Sequence, residues 1–121
     1  MAFMCSGSTP FSGPFARNIR ECTKYILKCV NKDGYIHQKN ERMSSNMYGH
    51  GYAMLYLTQV YGMSSSSSLK EKLKLAVDMT CKVQNSQGGW RYQPRPQSAD
   101  LSITVCQIMA LRAAHNAGIF V

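Results

Sequence analysis

The hydrophobic and charged positions of the chain alternate between two kinds of helical segment. Residues 14–30 and 69–83 each carry an apolar stripe at helical spacing opposite a charged stripe, which is typical of an amphipathic helix with one side in water. Residues 47–61 contain no Asp, Glu, Lys or Arg, and residues 101–116 contain only Arg112 as a fixed charge. The pattern predicts an all-α protein of four main helices, in which each charge-bearing helix precedes a sheltered one.

Local signals set the predicted ends of these helices. Pro14 is expected at the first helical position, where its missing N–H costs nothing. Gly62 is expected to stop the second helix. Ser68 and Glu71 have the spacing of a capping box for the third helix. Asp100 is expected to cap the fourth.

The joint after the third helix is the least helix-like part of the chain. Its sequence, "QNSQGGWRYQPRPQSADLS", spans residues 84–102. Gly88 and Gly89 allow a sharp backbone turn, and Trp90 can fold over that turn with its indole N–H free to find an acceptor. Gln84 is expected at the end of the preceding helix, so these four residues form a predicted structural joint.

The same order of elements occurs twice, at a step of 54 residues. This step takes Asn31 to Asn85 and Gly34 to Gly88, and it predicts two copies of one helical hairpin. We therefore expect a flexible segment at residues 1–12 and a repeat domain at 13–121. Repeat one covers about 13–63 and repeat two about 64–121.

The motif Gln84-x3-Gly88-x-Trp90 resembles the glutamine–tryptophan repeat of the terpene cyclases and the related protein prenyltransferase subunits. The segments "MYGHGYAMLYLTQVYGM" and "GGWRYQPRPQSADLSITVCQIMALRAAHNAGI" look like bacterial prenyltransferase/squalene-oxidase repeat-containing proteins, largely uncharacterised, and the resemblance covers about residues 12–121. It implies an α/α toroid. Two hairpins would form an incomplete ring, so the resemblance also implies a partial chain.

The chemistry of that family does not carry over to this sequence. The aspartate cluster DxDD of the squalene-type cyclases is missing. At the positions where the protein prenyltransferases hold zinc, this chain has Tyr48, His50 and Ile103, which do not supply the four ligands that zinc requires. We expect no metal and no cofactor.

Two residues remain as weak catalytic candidates. His50, flanked by glycines near the start of a sheltered helix, could face a central cavity as a base or ligand, or could be a packed histidine. Asp100 could be a buried acid, or only a helix cap. The candidate ligand-binding residues are Tyr48, His50, Tyr52, Trp90 and Tyr92.

Composition bears on the class of partner, the redox state of the cysteines and the cellular location. The formal net charge is +8, which fits a solvated basic face better than a nucleic-acid partner, although "GGWRYQPRP" interleaves aromatic residues with arginine. Five cysteines without a CxxC pair indicate reduced thiols. No signal peptide and no membrane span are expected, which favours a cytoplasmic location.

The sequence thus predicts a repeat module of the terpene cyclase/prenyltransferase type. The favoured role is a non-catalytic scaffold that binds an apolar, isoprenoid-like ligand or a protein. The expected protein partners are a second copy of the chain or a further repeat segment. The alternative is part of a terpene cyclase or prenyl-transfer enzyme whose active site needs further repeats.

Overall fold

The computed structural model describes residues 1–38 and 46–121, and these residues form five helices. They are α1 (Ala2–Cys5), α2 (Ala16–Cys29), α3 (Met47–Ser64), α4 (Ser67–Lys82) and α5 (Leu101–Asn116). The described residues contain no strand and only an isolated bridge between Val30 and Ile36. The predicted all-α class is therefore confirmed, with the four main helices close to their expected bounds.

Three predicted helix ends are wrong. Helix α2 begins at Ala16, two residues beyond Pro14. Helix α4 begins at Ser67, and its N-cap residue Ser66 makes no side-chain cap hydrogen bond, so the expected capping box around Ser68 is not formed. Helix α3 runs through Gly62 to Ser64. It continues because residues just before the glycine still pack on the core, and packing outweighs a local preference.

Helices α3 and α5 have the most extensive contact of all the helix pairs. They run in the same direction, because their first turns meet at Tyr48 and Ser102 and their last turns line one groove. The Sγ atom of Cys106, in the second turn of α5, lies 4.0 Å from the carbonyl oxygen of Tyr48 in the first turn of α3. A Cβ atom at Gly51 would lie 2.7 Å from the same sulfur. A side chain at this position would displace the side chains of Cys106 and Gln107, so glycine favours the close approach of the two helices.

The first residues of the chain contact the main body. Met4 packs against the main hydrophobic cluster, and Ser8 is buried. The guanidinium of Arg20, on α2, donates from Nη1 to the carbonyl oxygen of Pro10 at 2.6 Å. These contacts tie the N-terminal segment to α2.

The two joints have the same hydrogen-bond geometry, which identifies the internal repeat in three dimensions. The amide oxygens of Asn31 and Asn85 accept from the backbone N–H groups two and four residues later. The distances are 2.9 and 2.9 Å after Asn31 and 3.0 and 2.8 Å after Asn85. Gly34 and Gly88 follow with φ angles of +88° and +84°. The two sheltered helices then begin 54 residues apart, at Met47 and Leu101. The sequence of residues 35–46 is polar and lacks periodicity, which predicts a loop, and residues 39–45 of it lie outside the described residues.

Candidate functional site

The ring of Trp90 is enclosed, with 3% of its surface exposed. Its indole Nε1 donates to the carbonyl oxygen of Thr80 at 2.8 Å, at the end of α4. Its backbone N–H donates to Oγ1 of Thr104 at 3.1 Å, and its carbonyl oxygen accepts from the N–H of Asp100 at 2.8 Å. Trp90 therefore connects the end of α4 to the start of α5. A buried ring cannot stack on a nucleic-acid base.

The rest of the predicted joint is also structural. The side-chain amide of Gln84 donates from Nε2 to the carbonyl oxygen of Gly88 at 2.9 Å, across the turn that the positive φ of Gly88 makes. A Cβ atom at Gly89 would lie 2.4 Å from the Cβ atom of Ala99. Gly88 is favoured because the turn needs a positive φ angle, and Gly89 because no space is left for a Cβ atom.

His50 is fully buried, and both of its ring nitrogens are hydrogen-bonded. Nδ1 accepts from the backbone N–H of Ile36 at 3.1 Å, which places the ring proton on Nε2, and Nε2 lies 2.8 Å from Oγ1 of Thr80. The Thr80 hydroxyl in turn donates to the carbonyl oxygen of Ala76 at 2.8 Å. Burial lowers the pKa of His50 to about 4. The imidazole is a neutral cross-link between the repeats and has no access to a substrate.

The role of His50 becomes clear from its equivalent in the second repeat, Thr104. Each of the two accepts a hydrogen bond from the backbone N–H of the buried joint residue, Ile36 in repeat one and Trp90 in repeat two. The longer histidine reaches further, to Thr80 of the second repeat. Sequence reasoning missed both threonines, although the 54-residue step that takes His50 to Thr104 was already visible.

Asp100 caps α5, as predicted. Its Oδ1 accepts from the backbone N–H groups of Ser102 and Ile103, at 3.0 and 3.2 Å. The hydroxyl of Ser102, followed by the N–H of Ile103, holds the pKa of the carboxyl below its usual range. Asp100 is also only partly buried. A carboxylate that stays ionised in contact with water lacks the raised pKa of a general acid.

The candidate ligand-binding residues separate into two groups. His50 and Trp90 are interior. The hydroxyl of Tyr48 is hydrogen-bonded to that of Ser102, and the rings of Tyr48 and Tyr92 lie 6.2 Å apart at the start of α3 and α5. Tyr52, one helical turn further along α3, is exposed. These residues do not line one pocket.

The contact between the sheltered helices is closed and partly polar. Gln107 of α5 is fully buried, and its Nε2 donates to the carbonyl oxygen of Met47 at 2.7 Å. Its Oε1 has no hydrogen-bond partner among the described residues. Because Gly51 also lies against this side chain, the N-terminal halves of α3 and α5 leave no cleft between them for a ligand.

The opposite side of α5 is open, and it is apolar from Leu101 to Met109, beyond which the exposed Arg112 follows. Its apolar residues form a surface here called the α5 edge (Leu101, Val105, Ile108 and Met109). All four are exposed, Leu101 by 80% and Ile108 by 52%. Their equivalents one repeat earlier face the second repeat and are buried or half-buried. These equivalents are Met47, Gly51, Met54 and Leu55. In repeat one, this surface is covered by repeat two. In repeat two, the equivalent surface is exposed to solvent.

A complementary opening lies on the other side of the molecule, here called the α3 edge (Ile26, Cys29, Gly49, Tyr52 and Ala53). Four of these residues line a groove of about 250 Å³, and Tyr52 is exposed beside Ala53. Their equivalents in repeat two are covered by repeat one, most of them completely. These equivalents are Thr80, Val83, Ile103, Cys106 and Gln107. In repeat two, this surface contacts repeat one. The α3 edge is the equivalent surface of repeat one, and there it is open.

Within residues 1–38 and 46–121, no three His, Cys, Asp or Glu side chains are grouped as metal ligands would be. In the same residues no helix has the length and apolarity to cross a membrane. Comparison of the chain with protein-family models, curated proteins and solved structures gave no match.

Proposed function

We propose that this chain is a non-catalytic helical-repeat module, of the terpene cyclase/prenyltransferase type that its joint resembles, and that its α5 edge docks a further hairpin of the same repeat. The observation that carries the proposal is the exposure of four apolar residues at positions where the preceding repeat is covered. A contiguous apolar surface of this kind is typical of an interaction site.

The two equivalent glycines of the joints support the same reading. A Cβ atom at Gly34 would lie 2.0 Å from the carbonyl oxygen of Leu75, because α4 of the second repeat lies directly against that turn. At Gly88 the nearest atom is the Nε2 of Gln84, at 3.8 Å. The first joint is covered by a neighbouring repeat, and the second has the same shape without a neighbour.

A catalytic role finds less support in the residues that the sequence offered for it. His50 is enclosed and neutral, and Asp100 is an ionised helix cap. An apolar ligand between the sheltered helices finds little support either, since Gln107 and Gly51 close that space. Docking of protein surface on the α5 edge needs neither a cavity nor a reactive group.

The test is a longer chain in which a second copy of residues 13–63 follows Val121. Docking of the added hairpin on the α5 edge stabilises the folded state, because stacked repeats share an interface. Within this extended chain, Ile108→Glu in the original copy should lower the thermal midpoint by at least about 2–4 °C, the shift that corresponds to 1 kcal/mol in a chain of 150–250 residues.

The matched control places the same charge on the other edge. Gly49→Glu in the original copy of the extended chain should not lower the midpoint, because Gly49 is an exposed helical position. In the unextended chain, at a dilution where it is a monomer, Ile108→Glu should have little effect because Ile108 is exposed there. If Ile108→Glu has the same small effect in both lengths, the α5 edge docks no hairpin and the proposal is wrong.

A further inference from the structure

The open α5 edge and the open α3 edge are the two halves of one interface, and the chain carries both. Within the chain, this interface joins the α3 surface of repeat one to the α4–α5 surface of repeat two. We propose that a second copy of the chain docks its α3 edge on the α5 edge of the first, head to tail, in the geometry that the two repeats already use. This inference rests on the proposed function and names the partner.

One pair of residues at the two edges is complementary in size, with the large and small members exchanged. Inside the chain, Gly51 of α3 leaves room for Gln107 of α5. One repeat later, the corresponding pair is Val105 on the α5 edge and Ala53 on the α3 edge, so the larger residue now lies on the first surface and the smaller on the second. Such an exchange preserves the volume available at the contact.

The next pair along the edge joins a large residue to a small one, where the internal pair has two large residues. Inside the chain, Met47 and Ile103 belong to one buried cluster. Between copies, the equivalent pair is Leu101 of one copy and Gly49 of the next. A Cβ atom at Gly49 would have no atom within 4 Å. The most exposed residue of the α5 edge would thus meet an open position of the α3 edge that has no side chain.

The Thr80 hydroxyl at the centre of the internal interface has an apolar counterpart between copies, Ile26. His50 and Met54 of α3 both approach the Thr80 hydroxyl, at 2.8 and 3.8 Å. The equivalents of Met54 and Thr80 are Ile108 and Ile26, which would meet as two aliphatic side chains. Neither residue carries a charge or a donor that would be left without a partner.

Head-to-tail docking uses different surfaces on the two partners, so each copy keeps one edge open after the first contact. Association of this kind builds rings when the rotation closes and open filaments when it does not. Either outcome covers the apolar residues that a single copy leaves in water.

The experiment is light scattering on the full chain and on three variants with the same change of charge. Ile108→Glu blocks the α5 edge. Gly49→Glu blocks the α3 edge, at an exposed helical position where the new side chain has space and glutamate favours the helix. Ser86→Glu lies on the exposed joint, outside both edges, and is the control.

We expect the unchanged chain and Ser86→Glu to increase in mass with concentration and each edge variant alone to remain a monomer. An equimolar mixture of Ile108→Glu and Gly49→Glu should double in mass, because one intact α5 edge then meets one intact α3 edge. Association of Gly49→Glu alone, a monomeric mixture, or a monomeric unchanged chain would each overturn the head-to-tail inference. Those outcomes leave the proposed function standing if the extended chain behaves as described.

Discussion

Met54 of α3 and Ile108 of α5 occupy the same position in the two repeats, 54 residues apart, yet Met54 is completely buried and Ile108 is 52% exposed. Their local structure is equivalent, because both lie in the second turn of a sheltered helix that follows an Asn-capped or Asp-capped start. The difference lies only in the neighbour. Met54 has a repeat beside it and Ile108 has solvent.

Replacing Gly34 and Gly88 separately should measure this difference in neighbours. Both have positive φ angles, so alanine costs each about 1–2 kcal/mol of backbone strain. At Gly34 the added Cβ also collides with the backbone of α4. Urea denaturation should therefore show Gly34→Ala to be destabilised by at least about 2 kcal/mol more than Gly88→Ala. Equal losses would contradict the contact between the first joint and α4.

The stability of the fold should depend on pH through His50. Its pKa is about 4 in the folded state and about 6.5 when the chain is unfolded, so the unfolded state binds the proton first as the pH falls. The contribution is fully present above about pH 6.5 and is lost between about pH 6.5 and 4, by roughly 3 kcal/mol in total.

Urea denaturation at several pH values isolates this effect. His50→Asn keeps an acceptor for the N–H of Ile36 but cannot be protonated, so its free energy of unfolding should vary less between pH 6.5 and 4.5 than that of the unchanged chain. His115→Asn changes an exposed imidazole and serves as the control. An unchanged slope in His50→Asn would show that His50 is not the group responsible.

Gln107 should tolerate an apolar side chain of similar size. Gln107→Met gives up the hydrogen bond to Met47, worth about 0.5–1.5 kcal/mol, but also removes the buried Oε1 that has no partner in the described structure. The free energy of unfolding should change by less than about 1 kcal/mol. Gln107→Ala leaves a cavity as well and should cost about 2 kcal/mol or more. A large loss in Gln107→Met would indicate a partner for Oε1.

Salt should strengthen self-association. Each copy carries a formal net charge of +8, so copies repel one another while the edges attract. The screening length falls from about 10 Å at 0.1 M salt to about 3 Å at 1 M, and screening leaves an apolar contact intact. Sedimentation should find tighter association at the higher salt concentration. Weaker association there would indicate that charge pairs, rather than the apolar edges, hold the copies together.

Periodicity and local signals predicted most of the fold. The four main helices, the 54-residue step, the Asp100 cap and an acceptor for the indole N–H of Trp90 follow from the residues themselves, and the structure has each of them. The ends of α3 and α4 did not follow, because the core holds α3 together past Gly62. Packing between segments that are distant in the sequence decides such helix boundaries, and a short stretch of sequence does not show that packing.

The candidate site was less predictable for the same reason. His50 has a sequence context compatible with a cavity, and only its contacts with Ile36 and Thr80, 14 and 30 residues away, identify it as a cross-link. Because two hairpins do not close a ring, the sequence predicts that the apolar flanks of the two sheltered helices are partly exposed, but it does not predict which side chains form the α5 edge. Its match to the α3 edge depends on which side of each helix the other repeat covers, and that emerges from three-dimensional packing.

The most direct test of the open, complementary edges is hydroxyl-radical footprinting of the unchanged chain at increasing protein concentration. Met109 on the α5 edge and Tyr52 on the α3 edge are both exposed in the single copy, as is Phe11 outside both edges. The account predicts that Met109 and Tyr52 become protected together while Phe11 remains reactive. Reactivity that stays constant at both edges, or protection at only one of them, would contradict it.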